Sequence, residues 1–179
     1  TLGRAVVEQR AGVAIPCSDR FGGTPRSQSD GWEVVTHLAR RIADMCSNEF
    51  GEGKITIIAG ADADKAEYIK TADIVVATGA AGIELLSAAL VASAPQLKVA
   101  ADVNAVPPAG IAGVDAFHNG TAIAGSNSGA VGIGALAIGN VKYQAQNRLL
   151  KQMIETDKPV YLHFEHAFEV AREYVKSTS

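Results

Sequence analysis

The sequence predicts an α/β protein, a largely parallel sheet with helices on both faces, and three observations carry that expectation. Short apolar runs recur over residues 13–17, 54–59, 72–78 and 97–101, each followed by a helical pattern or a polar turn, and such alternation is the mark of strands joined by crossover helices. The centre of the third run, Ile74-Val75-Val76-Ala77, is apolar throughout, as in strands covered on both sides. The runs end on Ser18-Asp19-Arg20, Gly60-Ala61-Asp62, Gly79-Ala80-Ala81-Gly82 and Asp102-Val103-Asn104. Small and polar residues belong at the carboxyl edge of such a sheet, where ligands enter.

Taken in order, residues 2–10 read as the end of an amphipathic helix, with Gly12 placed to terminate it. The strand over 13–17 follows, then a polar loop over 21–29. Asp30-Gly31-Trp32-Glu33 has the form of a capping box. The helix it opens carries Trp32, Val35, Leu38, Ile42 and Cys46 on one face and ends at Gly51 or Gly53. After the strand over 54–59, a short helix over 62–71 turns Ala63, Ala66 and Ile69 inward. The turn from Thr78 to Gly82 leads into a helix expected over 83–91, and Pro95 precedes the strand over 97–101.

Residues 101–142 form the stretch around which the rest is arranged. Asp102 and Asn104 lie at a strand end, Pro107 and Pro108 stiffen the exit, and a succession of glycines runs from Gly110 to Gly139. Glycine admits close approach of a ligand to the main chain, and proline fixes the path. A binding wall is the expectation, with a long surface loop as the alternative. Helices over 135–154 and 163–176 close the chain. The last is expected to bury Phe164, Ala167, Phe168, Ala171, Tyr174 and Val175.

The 179 residues suit one domain, 1–179, of Rossmann-like, doubly wound type. With 47% hydrophobic and 20% charged residues, the chain can bury a substantial core. A net charge of −3 gives no reason to expect nucleic acid or an anionic membrane. Cys17 and Cys46 read as reduced core thiols of a cytoplasmic protein. The sequence begins at Thr1. The expectation is that the first strand and its Gly-rich phosphate turn lie ahead of it, because the helix over 2–10 would follow that turn.

In that frame Ser18, Asp19 and Arg20 fall where an adenosine ribose is read. Asp19 suits the two hydroxyls of NAD, and Arg20 suits the 2′-phosphate of NADP. Gly79 and Gly82 admit a ribose or nicotinamide against the backbone, and also suit a tight strand-to-helix turn. Gly132-Ile133-Gly134-Ala135-Leu136-Ala137 fits the dinucleotide pattern, but the position about 20 residues on, Glu155, falls at the end of a helix. The fingerprint requires an acid at the end of the next strand, so Gly132 and Gly134 read as close packing or as a wall beside the nicotinamide. Lys142 is a cation early in a helix of small residues. His163 and His166 share a helix face without a third ligand, and no metal site is expected. Hydrolase and kinase motifs are absent from the sequence.

Residues 77–86, Ala-Thr-Gly-Ala-Ala-Gly-Ile-Glu-Leu-Leu, and 101–115, Ala-Asp-Val-Asn-Ala-Val-Pro-Pro-Ala-Gly-Ile-Ala-Gly-Val-Asp, resemble the bacterial NAD(P)-dependent methylene-tetrahydromethanopterin dehydrogenases. Gly134 to Lys142 resembles a further segment of that family, with Ala137, Asn140 and Val141 as departures. The resemblance implies a Rossmann cofactor domain, preceded in the family by a pterin-facing domain, and transfer of hydride from a tetrahydropterin methylene carbon to nicotinamide. It places Asp102, Asn104 and Pro107 to Gly110 around the nicotinamide end and makes Lys142 the polar group facing the pterin; Thr78, Gly79, Ala80 and Gly82 are also expected to bind the cofactor. NADP is the expected cofactor, with NAD the alternative, and a homo-oligomer is expected. Other readings of the same pattern are a shikimate- or amino-acid-dehydrogenase-like domain and a non-catalytic nucleotide-binding module.

Overall fold

The computed structural model describes residues 4–8, 13–14, 41, 54–58, 64–79 and 81–178, with the backbone alone given for 4–8, 13–14 and 54–58. The elements expected over 15–40 and 42–53, Gly12, Cys17, Cys46 and the strand end at 60–62 lie outside the described residues.

Among the described residues, seven strands form one sheet in the order β3-β1-β2-β4-β5-β7-β6. In chain order these are β1 (Arg4–Glu8), β2 (Val13–Ala14), β3 (Lys54–Ile58), β4 (Ile74–Ala77), β5 (Val99–Asp102), β6 (Asn119–Ala122) and β7 (Val131–Ile133). β2, β4, β5 and β7 run parallel to one another, so the parallel α/β core expected from the apolar runs is present. β6 adds an antiparallel edge. At the other side β1 runs antiparallel to both β2 and β3.

β1 corrects the sequence reading, which made residues 2–10 a helix. Ala5-Val6-Val7 fits a helical or an extended pattern, and pairing decides it: Arg4–Glu8 lies in register with Lys54–Ile58, Arg4 opposite Ile58 and Glu8 opposite Lys54. The placing of a phosphate turn ahead of a helix at that position loses its support.

In β4 and β5 the burial alternates, as the pleat requires. Val75 pairs with Ala100 and Ala77 with Asp102, and these four residues are all buried. Two short elements precede β4, the helix α1 (Lys65–Tyr68) and a 3-10 turn over Ile69–Thr71. Ile69 is buried as expected, whereas Ala66 is exposed. The helix expected over 83–91 begins later, as α2 (Ala88–Ala92), where the Ser87 side chain caps the Leu90 amide at 3.4 Å. Residues 83–86 are not helical, because the Leu85 and Leu86 amides bond elsewhere. Val91, Ala94 and Leu97 carry the chain back beneath the sheet, joining Ile111, Val114, Ile123 and Ala130 in the core.

The glycine-rich stretch is more regular than a surface loop. It folds as the β6–β7 pair, whose connection is closed by Ile123 N–H to the Ala130 carbonyl at 2.9 Å. The described chain divides into two compact units, Thr1–Ala135 and Leu136–Ser179. The second contains most of α3 (Ala135–Glu155) and α4 (Phe164–Thr178). The Asn140 side-chain amide donates to the Tyr174 hydroxyl at 2.9 Å, and the Arg148 guanidinium lies 5.2 Å from the centre of the Tyr174 ring. These helices begin within a residue of their expected starts, but α4 does not bury its apolar residues. Phe164, Phe168 and Val175 are exposed, and Ala167, Ala171 and Tyr174 are half-buried.

Candidate site at the carboxyl edge of the sheet

Because β4, β5 and β7 are parallel, their carboxyl ends deliver Thr78, Val103 and Gly134 to one edge. Thr78 is exposed and Gly79 half-buried. An ideal β-carbon on Gly79 would stand 2.6 Å from Leu85 Cδ1, so the turn is folded back on that side chain. Gly82 has φ +75°, a conformation that glycine adopts without the usual steric cost. Its α-carbon faces the Pro107 carbonyl, which would be 3.6 Å from a β-carbon there. The turn after β4 and the loop after β5 are therefore neighbours.

Backbone hydrogen bonds join these two loops. The Gly110 carbonyl accepts from Leu85 N–H at 2.7 Å and from Leu86 N–H at 3.0 Å, and Ala112 N–H donates to the Leu86 carbonyl at 2.9 Å. Leu86 and Ile111 form an isolated parallel bridge. Within the second loop, Asp102 is 2% exposed. Its Oδ1 accepts from Asn104 N–H at 2.9 Å and its Oδ2 from Ile111 N–H at 3.1 Å. Asn104 Oδ1 accepts from Val106 N–H at 3.0 Å, and its amide donates to the Pro108 carbonyl at 3.0 Å. The Pro107–Pro108 peptide is cis. Pro107 itself is exposed.

The third contributor is a turn at residues 115–118, which the sequence reading missed. Asp115 Oδ1 accepts from Phe117 N–H at 2.8 Å, Asp115 N–H donates to His118 Nδ1 at 3.2 Å, and Gly134 N–H donates to the His118 carbonyl at 2.7 Å. The places that side chains would take at both glycines of the Gly132–Ala137 pattern are occupied by this turn and its neighbours. At Gly132 they are met by His118 and Val114, and at Gly134 by the backbone of Asp115 and Ala116. Asp115-x-x-His118 was the available signal, an aspartate and a histidine at turn spacing.

The structure thus gathers Thr78, Gly79, Gly82, Asp102, Asn104, Pro107 and Gly134 along one edge of the first unit, whereas Gly132 lies buried within β7, opposite Ala100. Ser18, Asp19, Arg20 and Ala80 lie outside the described residues. Lys142 lies in the second unit, exposed on α3. His163 N–H donates to His166 Nδ1 at 3.3 Å, and His163 Nε2 lies 3.7 Å from Glu165 Oε2. Among the described residues no group of three or more His, Cys, Asp or Glu side chains is placed to hold a metal ion. No helix among them is long and apolar enough to cross a membrane.

Parallel strands with their loops gathered at the carboxyl edge define the class, a Rossmann-like α/β sheet, and in sheets of this class ligands bind at that edge. No protein-family model matches the chain. Over 105 residues it is 49% identical to the NAD(P)-dependent methylenetetrahydromethanopterin dehydrogenase of Methylorubrum extorquens, an alignment covering 59% of this chain and 35% of that protein. It is 31% identical over 135 residues to the bifunctional protein MdtA of the same organism, covering 75% of this chain and 45% of the relative. The chain therefore spans between about a third and a half of the length of these curated relatives. The resemblance read from residues 77–86 and 101–115 is borne out at the level of sequence similarity.

Proposed function

We propose that the protein is an NAD(P)-dependent methylene-tetrahydromethanopterin dehydrogenase and that this chain carries its cofactor-binding part. The observation that carries the reading is the 49% identity over 105 residues to a dehydrogenase of that name. The joined loops at the carboxyl edge are consistent with it. There Gly82, which has no side chain, stands beside the Pro107 carbonyl, which suits the close approach of a flat ring.

When bound, the nicotinamide supplies the hydride acceptor, and the tetrahydropterin methylene carbon is the donor. Thr78, Gly79, Ala80 and Gly82, with Asn104 and Pro107 to Gly110, are assigned to the wall on the nicotinamide side, with Asp102 behind them, and Gly132 and Gly134 bring the end of β7 up beside it. Ser18, Asp19 and Arg20 follow β2, which runs parallel to β4, and on that ground are assigned to the adenosine ribose, with Arg20 favouring NADP over NAD. Lys142 is assigned to face the pterin, on the resemblance of its segment. No proton need be removed by the protein during hydride transfer, so these residues act by holding two rings in near-attack geometry. The reduced-thiol reading of Cys17 and Cys46 supports a cytoplasmic location. Apolar side chains exposed along α3 and α4, Tyr143, Leu150 and Phe168 among them, support a homo-oligomer.

The test is turnover of methylene-tetrahydromethanopterin with NADP by the full-length protein, followed by the absorbance of the reduced nicotinamide. Lys142→Ala is expected to cut turnover and leave NADP affinity unchanged, and unchanged turnover returns Lys142 to the solvated surface. Cofactor binding without turnover of any tested substrate would favour a nucleotide-binding module. Turnover of a hydroxy- or amino-acid substrate instead would favour another dehydrogenase class.

A further inference from the structure

We infer that Asp102 is a positioning residue, which shapes the nicotinamide wall through Gly110 and does not touch the cofactor. This rests on the dehydrogenase reading only for which ligand the wall serves. Asp102 ends β5 and is 2% exposed, and each of its carboxylate oxygens already accepts a backbone N–H, from Asn104 and from Ile111. Among the described residues no cation pairs with it in an ion pair. A buried carboxylate without a cation is held by such charge-assisted bonds. These two bonds close the loop over 103–110 on its own base.

The effect passes beyond that loop. The carboxylate lies against Gly110, where an ideal β-carbon would stand 2.8 Å from Oδ1, so position 110 has no room for a side chain while Asp102 is in place. The carbonyl of this glycine receives both the Leu85 and the Leu86 amides. One carboxylate thereby sets the loop after β5 directly and the turn after β4 at one remove. In Asn the second oxygen becomes a donor, so one of the two N–H groups faces no acceptor and the loop is released.

The experiment uses the full-length protein and two probes, NADPH and 2′,5′-ADP, which lacks the nicotinamide half. Asp102→Asn is expected to weaken NADPH about ten-fold, the cost of one charge-assisted hydrogen bond, and to leave 2′,5′-ADP affinity unchanged. Gly110→Ala, which pushes on the same carboxylate, is expected to do likewise. Because both act through one contact, the double variant is expected to be no worse than the worse single variant. Hydrogen exchange of the Asn104, Ile111, Leu85 and Leu86 amides should quicken in Asp102→Asn, with the amides of β4 unchanged.

Equal loss of both probes, multiplying effects in the double variant, or unchanged exchange at both Asn104 and Ile111 would each overturn the proposal. A wild-type protein that binds neither NADPH nor NADH would overturn the dehydrogenase reading instead, and the exchange measurement then decides the role of Asp102 by itself. Asp102→Asn that fails to fold leaves Gly110→Ala to decide, through the same exchange pattern and the same contrast between probes.

Discussion

Gly134→Ala separates two meanings of the Gly-x-Gly pattern, a phosphate-contacting turn and a packing contact. An ideal β-carbon at Gly134 falls on the Asp115 carbonyl oxygen and 2.5 Å from the carbonyl carbon and oxygen of Ala116. These are main-chain atoms, so the added methyl displaces the whole 115–118 turn. Displacement gives up the bond from Gly134 N–H to the His118 carbonyl and loosens that from Asp115 N–H to His118. At about 1 kcal/mol per bond, with about 1–2 kcal/mol for overpacking, the loss is ~2–4 kcal/mol. Urea denaturation of the full-length protein reads it as a lower midpoint at unchanged slope. Gly139→Ala is the control. It sits inside α3 with nothing within 4 Å of the added carbon, and should stabilise by about 0.5–1 kcal/mol. A Gly134→Ala variant as stable as wild type would refute the packing argument. If that stable variant also lost cofactor affinity, Gly134 would belong to the nucleotide contact instead.

Two further outcomes are expected. Arg20→Ala should weaken NADP far more than NAD in titrations of the full-length protein, since only the 2′-phosphate meets a guanidinium fork, and equal losses would remove the assignment. Leu97→Ala empties a site of 0% exposure at the centre of the first unit and should cost about 2–5 kcal/mol by chemical denaturation. A loss under ~1 kcal/mol would mean that the neighbouring core collapses into the gap.

How much could be read beforehand varied with the range of the interactions. β4, β5 and the two long helices were legible because their patterns are local: Ile74–Ala77 is an unbroken apolar run, and Ala135–Glu155 has no proline to stop it. β1 was not, since Ala5-Val6-Val7 suits either period and its partner at residues 54–58 settles the choice. Glu84-Leu85-Leu86 has good helix propensity, but its leucine amides are claimed by Gly110, a contact that no local window contains. β6 and β7 were hidden by their glycines. At the edge, the prolines and the Asx residues marked the right loop. Asn104 acts as a turn former, its side chain accepting from Val106 N–H and donating to the Pro108 carbonyl. That both oxygens of Asp102 are taken by the backbone depends on the return of the chain at Ile111, and so was out of reach.

The Leu86–Ile111 bridge has a consequence for how this edge can vary among related chains. It pins both loops at their bases, and only the stretches beyond it, around 80–84 and 103–109, can change length without breaking a rung. Insertions and deletions that retune the ligand should gather in those two arcs, while the spacing from Leu86 to Ser87 and from Gly110 to Ala112 stays fixed.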